Sequence, residues 1–332
     1  MINHIRKQVG SRRIVAIGNP PYQEADGGAK ASAQPIYNYF VEALIDNSDI
    51  NEFSLVIPAR WFAAGKGLDS FRSKIMNGKN VSTIRYFGRS EDVFPTVHVQ
   101  GGVCFLNWKS EIQKKTVFTD DISSYDVDLN TFDIIPDDPK AYPIIEKIKK
   151  SQCKQFISDV AWSRKPFGLP TNYFQINEEA DNNHSDAIKC YLKGRKTKYI
   201  LRSEIVVNAD KIDLWKVAIP RAYATGARRC TLPKHQFFII EKGAVVTETY
   251  NIISAFKTKQ EAELLISYLQ TDFARYLLGV RKLTQDIPKD RWLWVPYVDT
   301  CKKWTDEKLF AEFCITKSEQ EHIRAKVKEW SC

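Results

Sequence analysis

Ile14-Val15-Ala16-Ile17-Gly18 reads as a short strand, and Asn19-Pro20-Pro21-Tyr22 stops it. Proline has no N–H to give to a strand ladder, so the strand ends by Asn19. The residue before a proline is held extended, which makes Asn19 and Pro20 a stiff, non-helical pair. The chain therefore presents an amide side chain, a main-chain carbonyl and a tyrosine ring together at a strand's carboxyl end. Open α/β sheets bind ligands at that position. A strand-ending turn whose tyrosine merely packs is the alternative.

The segments that follow alternate in period. Gln23 to Gln34, rich in Gly, Ala and Ser, predicts a loop beside this turn, and Pro35 to Ile45 a helix with proline in its first turn. Phe53 to Ile57 predicts a buried strand ending at Pro58, Leu68 to Met76 a helix stopping near Asn77-Gly78, Val81 to Phe87 a third strand and Gly102 to Trp108 a fourth. Strands alternating with helices predict a largely parallel sheet with helical crossovers.

This order carries a resemblance. Asn-Pro-Pro-Tyr at 19–22, then "LVIPARWF" (Leu55 to Phe62) and "VFPTVHV" (Val93 to Val99), resembles the catalytic half of gamma-class, TaqI-like adenine-N6 DNA methyltransferases of restriction–modification systems. The likeness covers about residues 12–110 and is looser beyond. It implies that the Asn19 side chain and the Pro20 carbonyl accept the two N–H bonds of an adenine amine. It further implies that Tyr22 and Phe94 stack on a base swung out of the duplex. A phenylalanine at position 94 is also an ordinary packing residue. S-adenosylmethionine is the methyl donor that the resemblance implies.

Only 18 residues precede Asn19, and nowhere is a strand followed by a Gly-x-Gly turn. The strand at 14–17 is then expected to have an apolar, unpaired edge. The expectation is a catalytic half completed by a second polypeptide that carries the cofactor-binding half, and a truncated, inactive product is the alternative.

The net charge of +9 is uneven: residues 1–150 carry +1 and residues 151–332 carry +8. Such asymmetry points the second half at a polyanion, here double-stranded DNA, with a solvated basic surface as the alternative. Between 151 and 300 basic and aromatic residues interleave with Gly and Pro, as where loops follow a nucleic acid backbone. Arg164, Lys165, Arg221, Arg228, Arg229, Arg281 and Lys282 are the candidate DNA contacts. Strand-like pieces lie at Lys198–Leu201, Glu204–Val207, Trp215–Ile219 and Gln236–Ile240. Glu261 to Leu278 predicts one amphipathic helix, Thr305 a helix cap, and Thr316 to Glu319 a capping box.

The expected fold class is α/β: a partial Rossmann-like methyltransferase sheet, then a mixed α+β target-recognition domain. The expected divisions are a catalytic half at 1–112, an acidic linker and helix at 113–150, target recognition at 151–300 and terminal helices at 301–332. Seven scattered cysteines without a C-x-x-C pair read as reduced thiols, with no metal site. No apolar run reaches membrane length, so a cytoplasmic protein with no membrane partner is expected. The expected function is site-specific adenine-N6 DNA methylation, and the rival is a non-enzymatic DNA-binding specificity subunit with a vestigial loop.

Overall fold

Residues 2–24, 34–63, 67–99, 101–223, 230–282 and 285–331 are described by a computed structural model. They divide into two compact units, Met1–Tyr142 and Pro143–Cys332. The first opens with a short helix α1 (Ile2–Val9) that the sequence pattern did not predict, pinned where Arg6 Nε donates to Asp49 Oδ1 at 2.8 Å. Strand β1 (Val15–Gly18) follows, then α2 (Tyr37–Ile45), β2 (Glu52–Pro58), α3 (Asp69–Gly78), β3 (Val81–Phe87), β4 (Val103–Lys109), β5 (Thr116–Thr119) and β6 (Ser124–Val127).

These six strands make one sheet in the order β1-β2-β4-β3-β5-β6. The expectation of a largely parallel sheet is corrected here. Only β1 with β2 and β3 with β5 pair parallel, while β4 runs antiparallel to both β2 and β3. Physically, the connection from β3 to β4 carries a 3-10 turn at Ser90–Asp92 and no crossover helix, so the chain returns in the opposite sense. Strands β1, β2 and β3 thus point the same way, and their carboxyl ends share one edge with the start of β4.

A second correction concerns 113–142. That stretch was expected as a linker, yet β5 and β6 extend the sheet, and Phe118, Phe132 and Tyr142 pack their rings together at 5.2–6.4 Å. The unit boundary falls inside helix α4 (Ala141–Lys150) instead. The sheet's core is Leu55, Ile57, Trp61, Phe62, Phe71, Ile84, Leu106 and Phe118, all buried. At its other margin the edge strand β1 is bare, with Ile17 82% exposed.

The second unit is mixed α+β. After the short helices α5 (Ile157–Val160) and α6 (Tyr173–Ile176) come β7 (Ala187–Tyr191), β8 (Thr197–Leu201), β9 (Trp215–Pro220), β10 (Phe238–Ile240), β11 (Ala244–Val246) and β12 (Tyr250–Phe256). They form two three-stranded sheets, β10-β9-β12 and β11-β7-β8, over a core that includes Phe167, Ile188, Ile200, Ala218, Val245 and Ile252. Of residues 204–207, expected as a strand, Glu204 instead ends a 3-10 turn at Arg202–Glu204 and 205–207 form no strand. The helix expected over 261–278 is two: α7 (Lys259–Leu269) and α8 (Asp272–Arg281). Thr271 separates them, its hydroxyl accepting from the Ala274 N–H at 3.2 Å as the cap of α8.

Helices α9 (Asp306–Glu312) and α10 (Lys317–Glu329) close the unit, with Thr305 and the Thr316/Glu319 box capping them as the sequence predicts. Among the described residues no helix is long and apolar enough to cross a membrane, and no group of side chains could hold a metal ion. The reading of every cysteine as a free thiol is corrected at Cys230, which is disulfide-bonded. Its neighbour Thr231 donates its N–H to the Trp330 carbonyl at 3.0 Å, so this loop lies beside the end of α10. That proximity joins residues 99 positions apart, and no sequence spacing announces it.

Candidate active site

The shared edge of the first unit gathers three segments. Asn19–Tyr22 leaves β1, Ala59–Phe62 leaves β2 as a 3-10 turn, and Phe94 follows the turn at the end of β3. Three strand spacings of about 4.8 Å separate β1 from β3, so the Asn19 and Phe94 segments start about 14 Å apart. Strands β2 and β4 lie between the two strands that these segments leave.

Each segment is held locally. Pro20 and Pro21 carry the chain out of β1, and beyond Tyr22 it turns back on itself: the Ile36 N–H donates to the Tyr22 carbonyl at 3.2 Å and the Glu24 N–H to the Gln34 carbonyl at 3.1 Å. The loop expected over Gln23–Gln34 lies, between 25 and 33, outside the described residues. Asn19 is exposed, and no hydrogen-bond donor among the described residues occupies the Pro20 carbonyl. Two acceptors are therefore open at this turn.

Tyr22 is half-buried, with its hydroxyl turned inward and lacking a hydrogen bond of good geometry. Burial pushes its pKa up to about 12; the nearby Cys104 adds to the rise, and the Asn19 amide offsets part of it. Cys104, wholly buried at the start of β4, is likewise raised to about 12 by burial. Tyr22 is a neutral phenol at physiological pH and offers no proton-accepting group. The turn can accept two N–H bonds and present an aromatic ring.

Phe94 is half-buried on a turn fastened by Ser90. The Phe94 N–H donates to the Ser90 carbonyl at 2.7 Å; the buried Ser90 hydroxyl donates to the Val97 carbonyl at 2.8 Å and accepts from the Val99 N–H at 2.7 Å. His98 Nδ1 lies 2.8 Å from Glu91 Oε1 on the same loop. Sequence reading passed over Ser90, because its two partners lie seven and nine residues on, beyond any short turn motif. Gly102 ends the loop at φ +76°, where a Cβ would fall 2.1 Å from the Phe87 carbonyl oxygen. Only glycine fits there.

In the second unit the structure brings Arg164, Lys165 and Arg221 together around Glu248. Arg281 and Lys282 are corrections. They are 2% and 3% exposed, with Arg281 Nε donating to the Asp290 carbonyl at 2.7 Å and Lys282 Nζ to the Tyr223 and Cys230 carbonyls at 2.7 and 3.1 Å. The Arg281 guanidinium also lies 4.8 Å from the Trp294 ring centre. Both side chains join elements of their own unit and face no solvent. Arg228 and Arg229 lie outside the described residues.

Residues 14–94 match the family model described as Eco57I restriction-modification methylase. Over 119 residues the chain is 31% identical to an uncharacterized adenine-specific methylase of Mycoplasma pneumoniae, an alignment covering 35% of this chain and 28% of that relative. The likeness to restriction–modification methylases thus lies in residues 14–94, about a quarter of the chain. The matched segment contains Asn19, Pro20 and Tyr22 and ends at Phe94.

Among solved structures the chain is similar to the type IIL restriction-modification enzyme MmeI in complex with DNA, at 10% identity and a TM-score of 0.40 over 86% of this chain and 45% of that one. It is also similar to the type IIG restriction endonuclease BpuSI, at 12% identity and a TM-score of 0.34 over 99% and 46%. The chain spans less than half the length of each of these relatives.

Methyltransferases generally draw on S-adenosylmethionine, and a nucleoside of that kind is held where a strand runs into a Gly-x-Gly turn that lets backbone approach it. No described strand of the first unit runs into such a turn, so the described residues beside the Asn19–Tyr22 turn do not fit the cofactor.

Proposed function

We propose that this chain is the target-holding part of a site-specific adenine-N6 DNA methyltransferase of a cytoplasmic restriction–modification system. The observation that carries the reading is a pair of acceptors open, among the described residues, at the end of β1: an exposed Asn19 amide and a Pro20 carbonyl with no donor among them, beside the neutral Tyr22 ring, within the family-matched segment. The exocyclic amine of adenine is a poor nucleophile because its lone pair is delocalised into the ring. Two acceptors taking its N–H bonds keep electron density on nitrogen. Tyr22, which follows β1, and Phe94, which follows β3, hold the flipped base by its faces. Tyr22 stays protonated throughout, so the amine's proton leaves to solvent rather than to a side-chain base of this turn.

S-adenosylmethionine supplies the methyl group, held by a cofactor-binding part on a second polypeptide. Support for that partner is the bare edge of β1, where exposed Ile17 and Val15 lie beside unpaired backbone. The basic second unit holds the duplex.

In the assembly that methylates DNA, Asn19→Ala should lower methyl transfer at least about a hundredfold, as loss of one preorganised polar contact at a reacting atom does. Duplex affinity should stay within about twofold. Unchanged N6-methyladenine formation would overturn the reading in favour of a specificity subunit. Calorimetry of S-adenosylmethionine against the purified chain should give no saturable heat; clear binding would remove the need for a second polypeptide.

A further inference from the structure

The second unit contains a cavity of about 630 Å³ whose wall includes Ser158, Trp162, Arg164, Arg221, Asn251 and Lys289. Arg164 and Arg221 converge with Lys165 on one carboxylate, Glu248, whose side chain is only 7% exposed. Arg164 Nε donates to Glu248 Oε1 at 2.6 Å, Arg221 Nη1 stands 3.7 Å from the same oxygen, and Lys165 Nζ stands 3.7 Å from Oε2. The cations themselves remain 69, 37 and 47% exposed for Arg164, Arg221 and Lys165. One buried negative charge thus holds three positive ones at the surface, leaving two in excess and their outer donors unused. A buried carboxylate fixes long side chains that would otherwise sample many rotamers.

Two further observations point to a ligand. The Ser158 hydroxyl is buried in the cavity wall and has no hydrogen-bond partner. Buried polar groups rarely stay unpaired. Lys165 sits at φ +56°, a conformation costly for a side chain other than glycine, in a turn closed by the Gly168 N–H donating to its carbonyl at 2.9 Å. Of the acidic residues in the wall, Asp159 is engaged by the Phe156 N–H at 2.8 Å and Asp290 by Arg291 at 3.0 Å. Asp159 keeps its charge, since its donor is a neutral N–H, so with Asp290 paired to Arg291 the four cations Arg164, Lys165, Arg221 and Lys289 face the three carboxylates Glu248, Asp159 and Asp286.

We propose that this cavity seats a phosphate of the DNA backbone, with Arg164, Arg221 and the Ser158 hydroxyl as its donors and Glu248 as the positioning residue. The proposal rests on the reading that the second unit holds duplex DNA, and it adds the place and the organising residue.

The test is duplex affinity as a function of salt for the full chain and for Arg164→Ala, Arg221→Ala, Ser158→Ala, Glu248→Gln and Glu248→Asp. Each arginine variant should bind roughly tenfold more weakly, with a salt slope lower by about one. Glu248→Gln removes a negative charge, and a merely electrostatic surface would then bind DNA more tightly. Here it should bind severalfold more weakly, with Glu248→Asp recovering part of the loss.

Tighter binding by a folded Glu248→Gln, or wild-type affinity in both arginine variants, would overturn the proposal while leaving DNA binding standing. Arg164 is exposed enough that its variant keeps the test open should Glu248→Gln unfold. A wild-type chain that binds no duplex would overturn the underlying reading as well. Inorganic phosphate separates the sources: saturable binding of phosphate without any effect of these substitutions on duplex affinity would mark a small-anion site instead.

Discussion

At Tyr22 one atom separates two roles. The ring is available to a base, while the buried hydroxyl faces Cys104 and finds no good partner. Tyr22→Phe removes an unsatisfied polar atom and keeps the ring, so methyl transfer should stay within about threefold and stability should not fall. Tyr22→Ala removes the stacking surface and should weaken substrate binding about tenfold or more. The phenol also predicts a pH effect. Its folded pKa of about 12 lies above the ordinary value of 10.0, so its contribution to stability is complete below pH 10 and is lost as pH rises toward 12. Chemical denaturation along that range should show a decline that Tyr22→Phe flattens.

Asn19 to Tyr22 was legible because proline acts on its immediate neighbours. Arg281 and Lys282 were misread because burial is decided by distant elements, and a basic pair after a helix looks like surface. Glu248 carried no local sign: its partner Arg164 is 84 residues away.

The elements of the first sheet show what periodicity can and cannot carry. The segments of β2, β3 and β4 were visible as apolar runs, since each is buried on at least one face. Direction was not, because a period of two reads the same both ways. In the second unit β9 contains Lys216, wholly buried between apolar neighbours, with Nζ donating to the Ile212 carbonyl at 2.7 Å and lying 5.7 Å from the Phe167 ring centre. Burial lowers its pKa to about 8, partly offset by Asp213 and Glu241.

A lysine whose folded pKa is below its ordinary 10.5 carries its full burial penalty below pH 8, and the penalty is relieved as pH rises toward 10.5. Lys216→Met should therefore raise unfolding free energy at pH 7 by about 1–2 kcal/mol, a gain that shrinks above pH 8. Thermal unfolding at several pH values checks it, and a destabilised variant would mean that the Ile212 hydrogen bond outweighs the cost of burying the charge.

For the whole molecule the charge asymmetry sets the behaviour. Nearly all of the +9 belongs to residues 151–332. If about four phosphates are neutralised there, duplex affinity should fall about a hundredfold between roughly 50 and 200 mM salt. A flat titration would remove nucleic acid as that surface's partner. The two units were legible as a composition shift, but their border was not. The Asp-rich run at 120–138 looked like a linker, whereas Phe118 and Phe132 hold it to the sheet, their rings packed edge-on and tilted against Tyr142.

That border has a consequence for how such chains can be recombined. Under the proposed function, exchanging second units between relatives would be the route to a new target sequence, yet a crossover at the Tyr142–Pro143 junction would cut α4 in its first turn. A crossover in the Pro136–Pro139 turn keeps the helix whole, but then the incoming half brings its own residue 142 to the rings of the resident one. Hybrids that inherit an aromatic there should fold, and those that do not should be lost before their specificity is ever tested.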